Sequence, residues 1–140
     1  IDKCQTVDDS LPNMNPTHLL LLHYADAQGM SWHSDDDPND GDNDHPIISI
    51  SVGNSCRFGY VLDDKECDIR LDSGDIIVWG GPNRMLKHCV HEVYSDTAPS
   101  FLPEECKQLR FNFTFRDAPN ILGRESEWQY PDQDEEQEKE

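Results

Sequence analysis

The chain has 140 residues, a length that suits one domain with a modest hydrophobic core. Its 11 basic and 29 acidic residues give a formal net charge of −18, which argues against non-specific binding to DNA, RNA or anionic lipid. No apolar run approaches the roughly 18 residues of a membrane span, so we expect no membrane segment. The 5 cysteines include no CxxC pair, which disfavours a disulfide framework and favours reduced thiols in an intracellular protein.

Short apolar runs separated by turn residues follow one another along the chain. Residues 1–17 are interpreted as a polar arm, the remnant of a longer chain, and residues 18–24 as a buried strand. A turn at 25–29 and an acidic loop at 35–45 follow. The remaining predicted strands are 47–52, 56–61, 69–71, 75–79, 88–94 and 108–116. This pattern predicts an all-β antiparallel sandwich or barrel, and the acidic segment 119–140 is predicted to be disordered.

Residues 110–116, with the sequence RFNFTFR, alternate polar and aromatic side chains. On a strand, successive side chains point to opposite faces. One face would carry the phenylalanines and the other a polar set: Arg110, Asn112, Thr114 and Arg116. Alternation alone also fits an edge strand with a solvated polar face. Two guanidinium groups on one face instead favour a site for a ligand with two carboxylates, because guanidinium binds carboxylate through two parallel hydrogen bonds.

A His-x-Asp pair, His33 and Asp35, stands where a strand is expected to end. Side chains two residues apart on a strand face the same way, and one distant histidine would complete a set of metal ligands with three open positions. His88 and His91 are three residues apart on one predicted strand, so they point to opposite faces and only one can serve. Spacing alone also allows that these histidines bind no metal.

Residues 74–82, with the sequence GDIIVWGGP, are typical of a tight turn, a buried strand and a second turn. Within it, Trp79 is interpreted as a core residue or as the wall of a pocket. A local basic patch is also conceivable around the middle strands. Its members would be Arg57, Lys65, Arg70, Arg84 and Lys87.

Taken in order, these motifs resemble the AlkB-like iron(II) and 2-oxoglutarate dioxygenases. The matching set is Tyr24, the His33-x-Asp35 pair, the 74–81 segment, His88 and the R-x-N-x-T-x-R strand. The likeness runs from residue 19 to residue 118. It implies a double-stranded β-helix, the cupin-like jelly roll, with little helix and a dioxygenase core at residues 18–118.

The resemblance also implies a set of roles for individual residues. The Fe(II) ligands would be His33, Asp35 and His88. The residues for 2-oxoglutarate would be Tyr24, Arg110, Asn112, Thr114 and Arg116. The residues near the substrate would be Trp32, Asp37, Lys65 and Trp79, and Ser49 would also line the pocket. Relatives often have asparagine two residues before the tyrosine, where this chain has Leu22.

The activity that the resemblance implies is oxidative demethylation of N-methylated bases in DNA or RNA, as in DNA repair. Fe(II) would serve as the metal cofactor, and 2-oxoglutarate and O2 would be consumed. Formaldehyde, succinate and CO2 would be released. The expected partner is methylated nucleic acid, with no membrane, a monomeric state and a cytoplasmic or nuclear location. Two alternatives stay open. One is the same chemistry on a protein or small molecule, which the acidic composition favours; the other is a β-barrel binding module without activity.

Overall fold

The computed structural model describes residue 6 and residues 8–24, 28–35 and 44–117 of the chain. Eight strands dominate this part, and the only helical pieces described are a 3-10 turn at Gly81–Asn83 and a single α-helical turn at Glu104–Lys107. The strands are β1 (His18–Tyr24), β2 (Met30–His33), β3 (Ile47–Gly53), β4 (Ser55–Leu62), β5 (Lys65–Leu71), β6 (Ile76–Trp79), β7 (His88–Tyr94) and β8 (Arg110–Arg116).

The strands form two four-stranded antiparallel sheets. The first has the order β1-β8-β3-β6 and the second the order β2-β7-β4-β5. A core cluster joins them, since Tyr24 of the first sheet packs with Phe58 and Val90 of the second. Because all sheet neighbours except the β4–β5 hairpin are non-consecutive in sequence, the topology is that of a jelly roll. The expected all-β fold with little helix is confirmed.

β8 lies inside its sheet, between β1 and β3, and its alternation is the one predicted. Its polar side chains, among them Arg110, Asn112 and Thr114, are buried and face the interior. The reading of this segment as an edge strand with a solvated polar face is therefore wrong. The polar face tolerates burial because its members bond to one another and to serines of β3: Asn112 donates to Ser49 over 2.6 Å.

Two predicted strand starts differ from the structure by more than one residue, for local reasons. β5 begins at Lys65 instead of residue 69, because Asp63 and Asp64 adopt positive φ of 51° and 59° and close a two-residue hairpin. β8 begins at Arg110 instead of residue 108, because the helical turn Glu104–Lys107 precedes it. The short strand β2 was not separately predicted.

Several predictions concern residues outside the described part of the chain. They include Cys4, Asp37, most of the 25–29 turn and of the acidic loop, and the 119–140 segment. The domain boundaries accordingly stay predictions. The cysteines at positions 56, 67, 89 and 106 are free thiols. Among the described residues, no helix has the length and apolar character needed to cross a membrane.

Two glycines with similar backbone angles provide a test of how tightly the β3–β4 corner packs. Gly53 has φ 94° and Gly74 has φ 97°. A Cβ on Gly53 would lie 2.3 Å from the carbonyl oxygen of Leu109, whereas a Cβ on Gly74 would meet nothing within 4 Å. Gly74→Ala should lose about 1–2 kcal/mol of unfolding free energy from backbone strain, and Gly53→Ala clearly more. Urea unfolding measures both, and equal losses would contradict the packing described.

Candidate metal centre and anion pocket

Three side chains predicted as metal ligands converge at one end of the molecule. Their ligand atoms all lie within 4.8 Å of one another. His33 Nε2 is 3.8 Å from Asp35 Oδ1, and His88 Nε2 is 4.0 Å from Asp35 Oδ2. The pairing of β2 with β7 sets His33 directly opposite His88, so the ladder itself positions the two imidazoles.

Backbone carbonyls orient both imidazole rings. His33 Nδ1 lies 2.8 Å from the Ser31 carbonyl oxygen, and His88 Nδ1 lies 2.9 Å from that of Leu86. Because a carbonyl only accepts hydrogen bonds, each Nδ1 is the donor of its pair, and each Nε2 is the ring atom that faces Asp35. Burial lowers the pKa of His88 below its ordinary value, so this ring stays neutral and available as a ligand.

The donor set fits a divalent iron ion. Two neutral imidazole nitrogens and one carboxylate oxygen, grouped on one side of a cavity, are the set used by non-haem Fe(II) oxygenases. Arg116 Nη2 contacts Asp35 Oδ1 at 2.8 Å and so orients the carboxylate. Phe58 stacks on the His88 ring at 5.6 Å and Trp79 tilts against it at 5.1 Å, which gives this ligand an apolar wall.

Arg110 carries a buried charge that the described residues do not neutralise. Only 1% of its surface is exposed. Its Nη1 donates to the Asn54 carbonyl oxygen at 3.2 Å and its Nη2 to Ser51 Oγ at 2.9 Å, while its Nε has no partner in the described part of the chain. No carboxylate of the described residues forms an ion pair with it. Because a buried charge without a counter-charge is costly, this guanidinium indicates a site for an anionic ligand.

Neighbouring strands surround Arg110 with groups that suit a carboxylate. Tyr24 is its register partner on β1, and the Arg110 Cζ lies 6.0 Å from the Tyr24 ring centroid. Burial raises the pKa of Tyr24, so its phenol stays protonated and can donate a hydrogen bond. Along β8, Thr114 Oγ1 donates to Asn112 Oδ1 at 2.6 Å, which fixes the amide. Leu22, opposite Asn112, adds an apolar surface.

One cavity connects the metal ligands with the buried guanidinium. The three ligands, the predicted 2-oxoglutarate residues and Leu22 all line it, together with Ser49 and Trp79. Arg116 lies at the metal end, through its contact with Asp35, and Arg110 six residues along the same strand. The arrangement suits an elongated dicarboxylate that reaches from the metal to Arg110.

The predicted substrate residues are not brought together. Trp79 lines the cavity, but Trp32 packs edge-on against His91 at 5.4 Å, since neighbours on a strand face opposite ways and Trp32 precedes His33. Lys65 is exposed at the β4–β5 hairpin and does not line the cavity. Asp37 lies outside the described residues.

The three arginines of the conceivable basic patch make other contacts, whereas Lys65 and Lys87 are exposed. Arg57 pairs with Asp68 at 3.5 Å and Arg70 with Asp72 at 2.8 Å. Arg84 is buried, with 5% of its surface exposed, and its Nη1 donates to the main-chain oxygen of Asp35 at 2.7 Å. Arg84 is thus a site residue that the sequence interpretation missed, because its bond to Asp35 spans 49 residues.

The serines of β3 were partly missed as well. Ser49 was expected to line the pocket, and it does so while accepting the Asn112 bond. Ser51, which holds Arg110, had no assigned role. The alternation of isoleucine and serine in residues 48–51 was the available signal, because it places both serines on one face.

Comparison with known proteins agrees with this geometry. Residues 2–116 match the family model of the 2OG-Fe(II) oxygenase superfamily, and the chain belongs to that family. Within it the chain is AlkB-like. It is 32% identical over 115 residues to the DNA N(6)-methyladenine demethylase ALKBH1C of Arabidopsis thaliana, a match covering 77% of this chain and 25% of the relative.

Two further matches cover more of the other protein. The chain is 33% identical over 110 residues to the alpha-ketoglutarate-dependent dioxygenase AlkB of Escherichia coli K12, covering 76% of this chain and 48% of AlkB. The solved structure of OsALKBH1 superposes with a TM-score of 0.67 at 32% identity, covering 76% of this chain and 52% of that one. The chain therefore spans about a quarter to a half of the length of these relatives.

The two histidines of β7 provide a matched pair for testing the metal centre. His88 faces Asp35, whereas His91 lies on the opposite face with its Nε2 at 3.1 Å from Asp68 Oδ1. His88→Ala should weaken Fe(II) binding by more than the roughly 10–100-fold that loss of an outer-shell partner costs. His91→Ala should bind like the unaltered protein. Anaerobic equilibrium dialysis with Fe(II) measures this, and similar affinities for both variants would refute the assignment.

Proposed function

We propose that this chain is the core of an Fe(II)- and 2-oxoglutarate-dependent dioxygenase that oxidatively demethylates N-methylated bases in DNA or RNA. One observation carries the proposal. The His33, Asp35 and His88 group, with its ring tautomers set by backbone carbonyls, opens on the same cavity as the unneutralised charge of Arg110. Membership of the oxygenase superfamily supports it.

In this proposal each end of the cavity has its own task. His33, Asp35 and His88 hold Fe(II), and Arg116 keeps the Asp35 carboxylate turned toward the ion. Arg110 binds the distal carboxylate of 2-oxoglutarate, and Tyr24 donates a further hydrogen bond to it. The remaining polar side chains of β8, Asn112 and Thr114, form the wall along which the cosubstrate lies.

When bound, Fe(II), 2-oxoglutarate and O2 together supply the oxidation of an N-methyl group, which leaves as formaldehyde beside succinate and CO2. The protein contributes geometry and exclusion of water. Phe58 and Trp79 pack against the His88 ring and give it an apolar wall. Leu22 adds an apolar surface beside Asn112. Because the metal and the cosubstrate would carry the oxidation, no side chain needs to act as a general acid or base.

The substrate class comes from the relatives. Two of them are named as a DNA N(6)-methyladenine demethylase and a tRNA demethylase. We assign Trp79 and Asp37 to the substrate side of the site, and Trp32 and Lys65 to contacts outside the metal cavity. The monomeric state expected from the sequence stays a prediction. A nucleic acid substrate also favours a cytoplasmic or nuclear location.

A second candidate is the same oxidation of a protein side chain or a small molecule. The net charge of −18 favours it, because a nucleic acid interface normally presents unpaired basic residues. Arg57 and Arg70, which could have supplied such a surface, pair with aspartates instead.

Succinate formation tests the proposal directly. Purified protein with Fe(II), 2-oxoglutarate and O2 should release succinate and formaldehyde at a rate that an N-methylated oligonucleotide raises several-fold. The unmethylated oligonucleotide is the matched control, and His33→Ala should abolish the signal because it removes a metal ligand. Succinate without any response to methylated DNA or RNA would transfer support to the second candidate. No His33-dependent succinate at all would refute the oxygenase function.

A further inference from the structure

The segment between β6 and β7 is tied to the metal ligands at three points. Arg84 Nη1 donates to the Asp35 carbonyl oxygen at 2.7 Å. Ser34 Oγ donates to the Met85 carbonyl oxygen at 3.1 Å. His88 Nδ1 bonds to the Leu86 carbonyl oxygen at 2.9 Å. Three consecutive residues, 84 to 86, therefore hold the main chain at Asp35 and the ring of His88 together.

The main chain of Asp35 depends on these hydrogen bonds more than the main chains of the two histidines do. His33 and His88 face each other in the β2–β7 ladder, which positions both main chains. β2 ends at His33, so Asp35 lies beyond the last ladder pair and no sheet hydrogen bond sets its backbone. The Arg84 bond spans 49 residues of sequence and fixes the one ligand that the sheet leaves out.

Two arginines therefore act on Asp35 in different ways. Arg116 Nη2 contacts the side-chain oxygen Oδ1 at 2.8 Å and sets the direction of the carboxylate. Arg84 donates a hydrogen bond to the main-chain oxygen of Asp35 and so fixes the position of the Asp35 backbone. The buried position of Arg84, with 5% of its surface exposed, keeps water from competing for that carbonyl.

We propose that Arg84 is a positioning residue for the metal centre, which raises metal affinity by anchoring the main chain of Asp35 without touching the ion. This inference rests on the proposed function only for the identity of the centre as a metal site. Outer-shell partners of metal ligands typically contribute about 10–100-fold to affinity, so the loss of this bond should be measurable.

The test uses Co(II), whose visible absorption reports its coordination, in the absence of 2-oxoglutarate and substrate. Arg84→Met keeps the buried aliphatic volume and removes the donor. It should weaken Co(II) binding about 10–100-fold and move the spectrum toward that of Asp35→Ala. Arg57→Met, an exposed arginine on the outer face of the second sheet, is the matched control and should leave both readouts unchanged.

Urea unfolding of the metal-free variants separates positioning from folding. If Arg84→Met is folded and binds Co(II) with unchanged affinity and spectrum, the proposal is overturned and Arg84 has a structural role only. If that variant does not fold, Arg84→Gln decides by the same criteria, because its amide is too short to reach the Asp35 carbonyl. A lower unfolding free energy without a change in the spectrum also counts against positioning.

The possible results distinguish the positioning role of Arg84 from the proposed oxygenase reaction. Weakened Co(II) binding in Arg84→Met, in a protein that forms no succinate, would support the positioning role and refute the oxygenase function. Unchanged binding in a protein that does form succinate would refute the positioning role alone. Failure of the unaltered protein to bind Co(II) would overturn both.

Discussion

The buried charge of Arg110 is the constraint on which the rest of the site depends. β8 is an interior strand of its sheet, so its alternation of polar and aromatic residues turns one whole polar face into the molecule. Ser51 and the Asn54 carbonyl satisfy two of the guanidinium donors but do not neutralise the charge. A carboxylate ligand would complete this environment, because the described residues supply no counter-charge for Arg110.

The positions of the metal ligands depend on a different feature, the geometry of a cross-strand pair and the residues around it. The β2–β7 ladder places two imidazoles face to face, and carbonyl oxygens select their tautomers. Asp35 stands just past the end of the ladder and is held from two directions by arginines, Arg84 on its main chain and Arg116 on its side chain. The two sheets thus contribute different parts of one centre: His33 and His88 come from the second, Arg116 from the first.

Local periodicity explains which features could be predicted from the sequence. A period of two residues placed Arg110 and Asn112 on one face and His88 and His91 on opposite faces, and the structure has both arrangements. Long-range pairing explains what could not be predicted. β8 is an interior strand because it pairs with β1 and β3, which are distant from it in sequence. The bond from Arg84 to Asp35 likewise spans 49 residues. No local pattern encodes either contact.

We expect Arg110 to bind the distal carboxylate of a 2-oxo acid. The most direct measurement compares 2-oxoglutarate with 2-oxopentanoate, which keeps the chain and the 2-oxo acid group but lacks the distal carboxylate. Anaerobic calorimetry on the Mn(II)-loaded protein should show about 10–100-fold tighter binding of 2-oxoglutarate, the value of a charge-assisted hydrogen bond of about 1.5–3 kcal/mol. Equal affinities for the two acids would show that Arg110 does not bind the distal carboxylate.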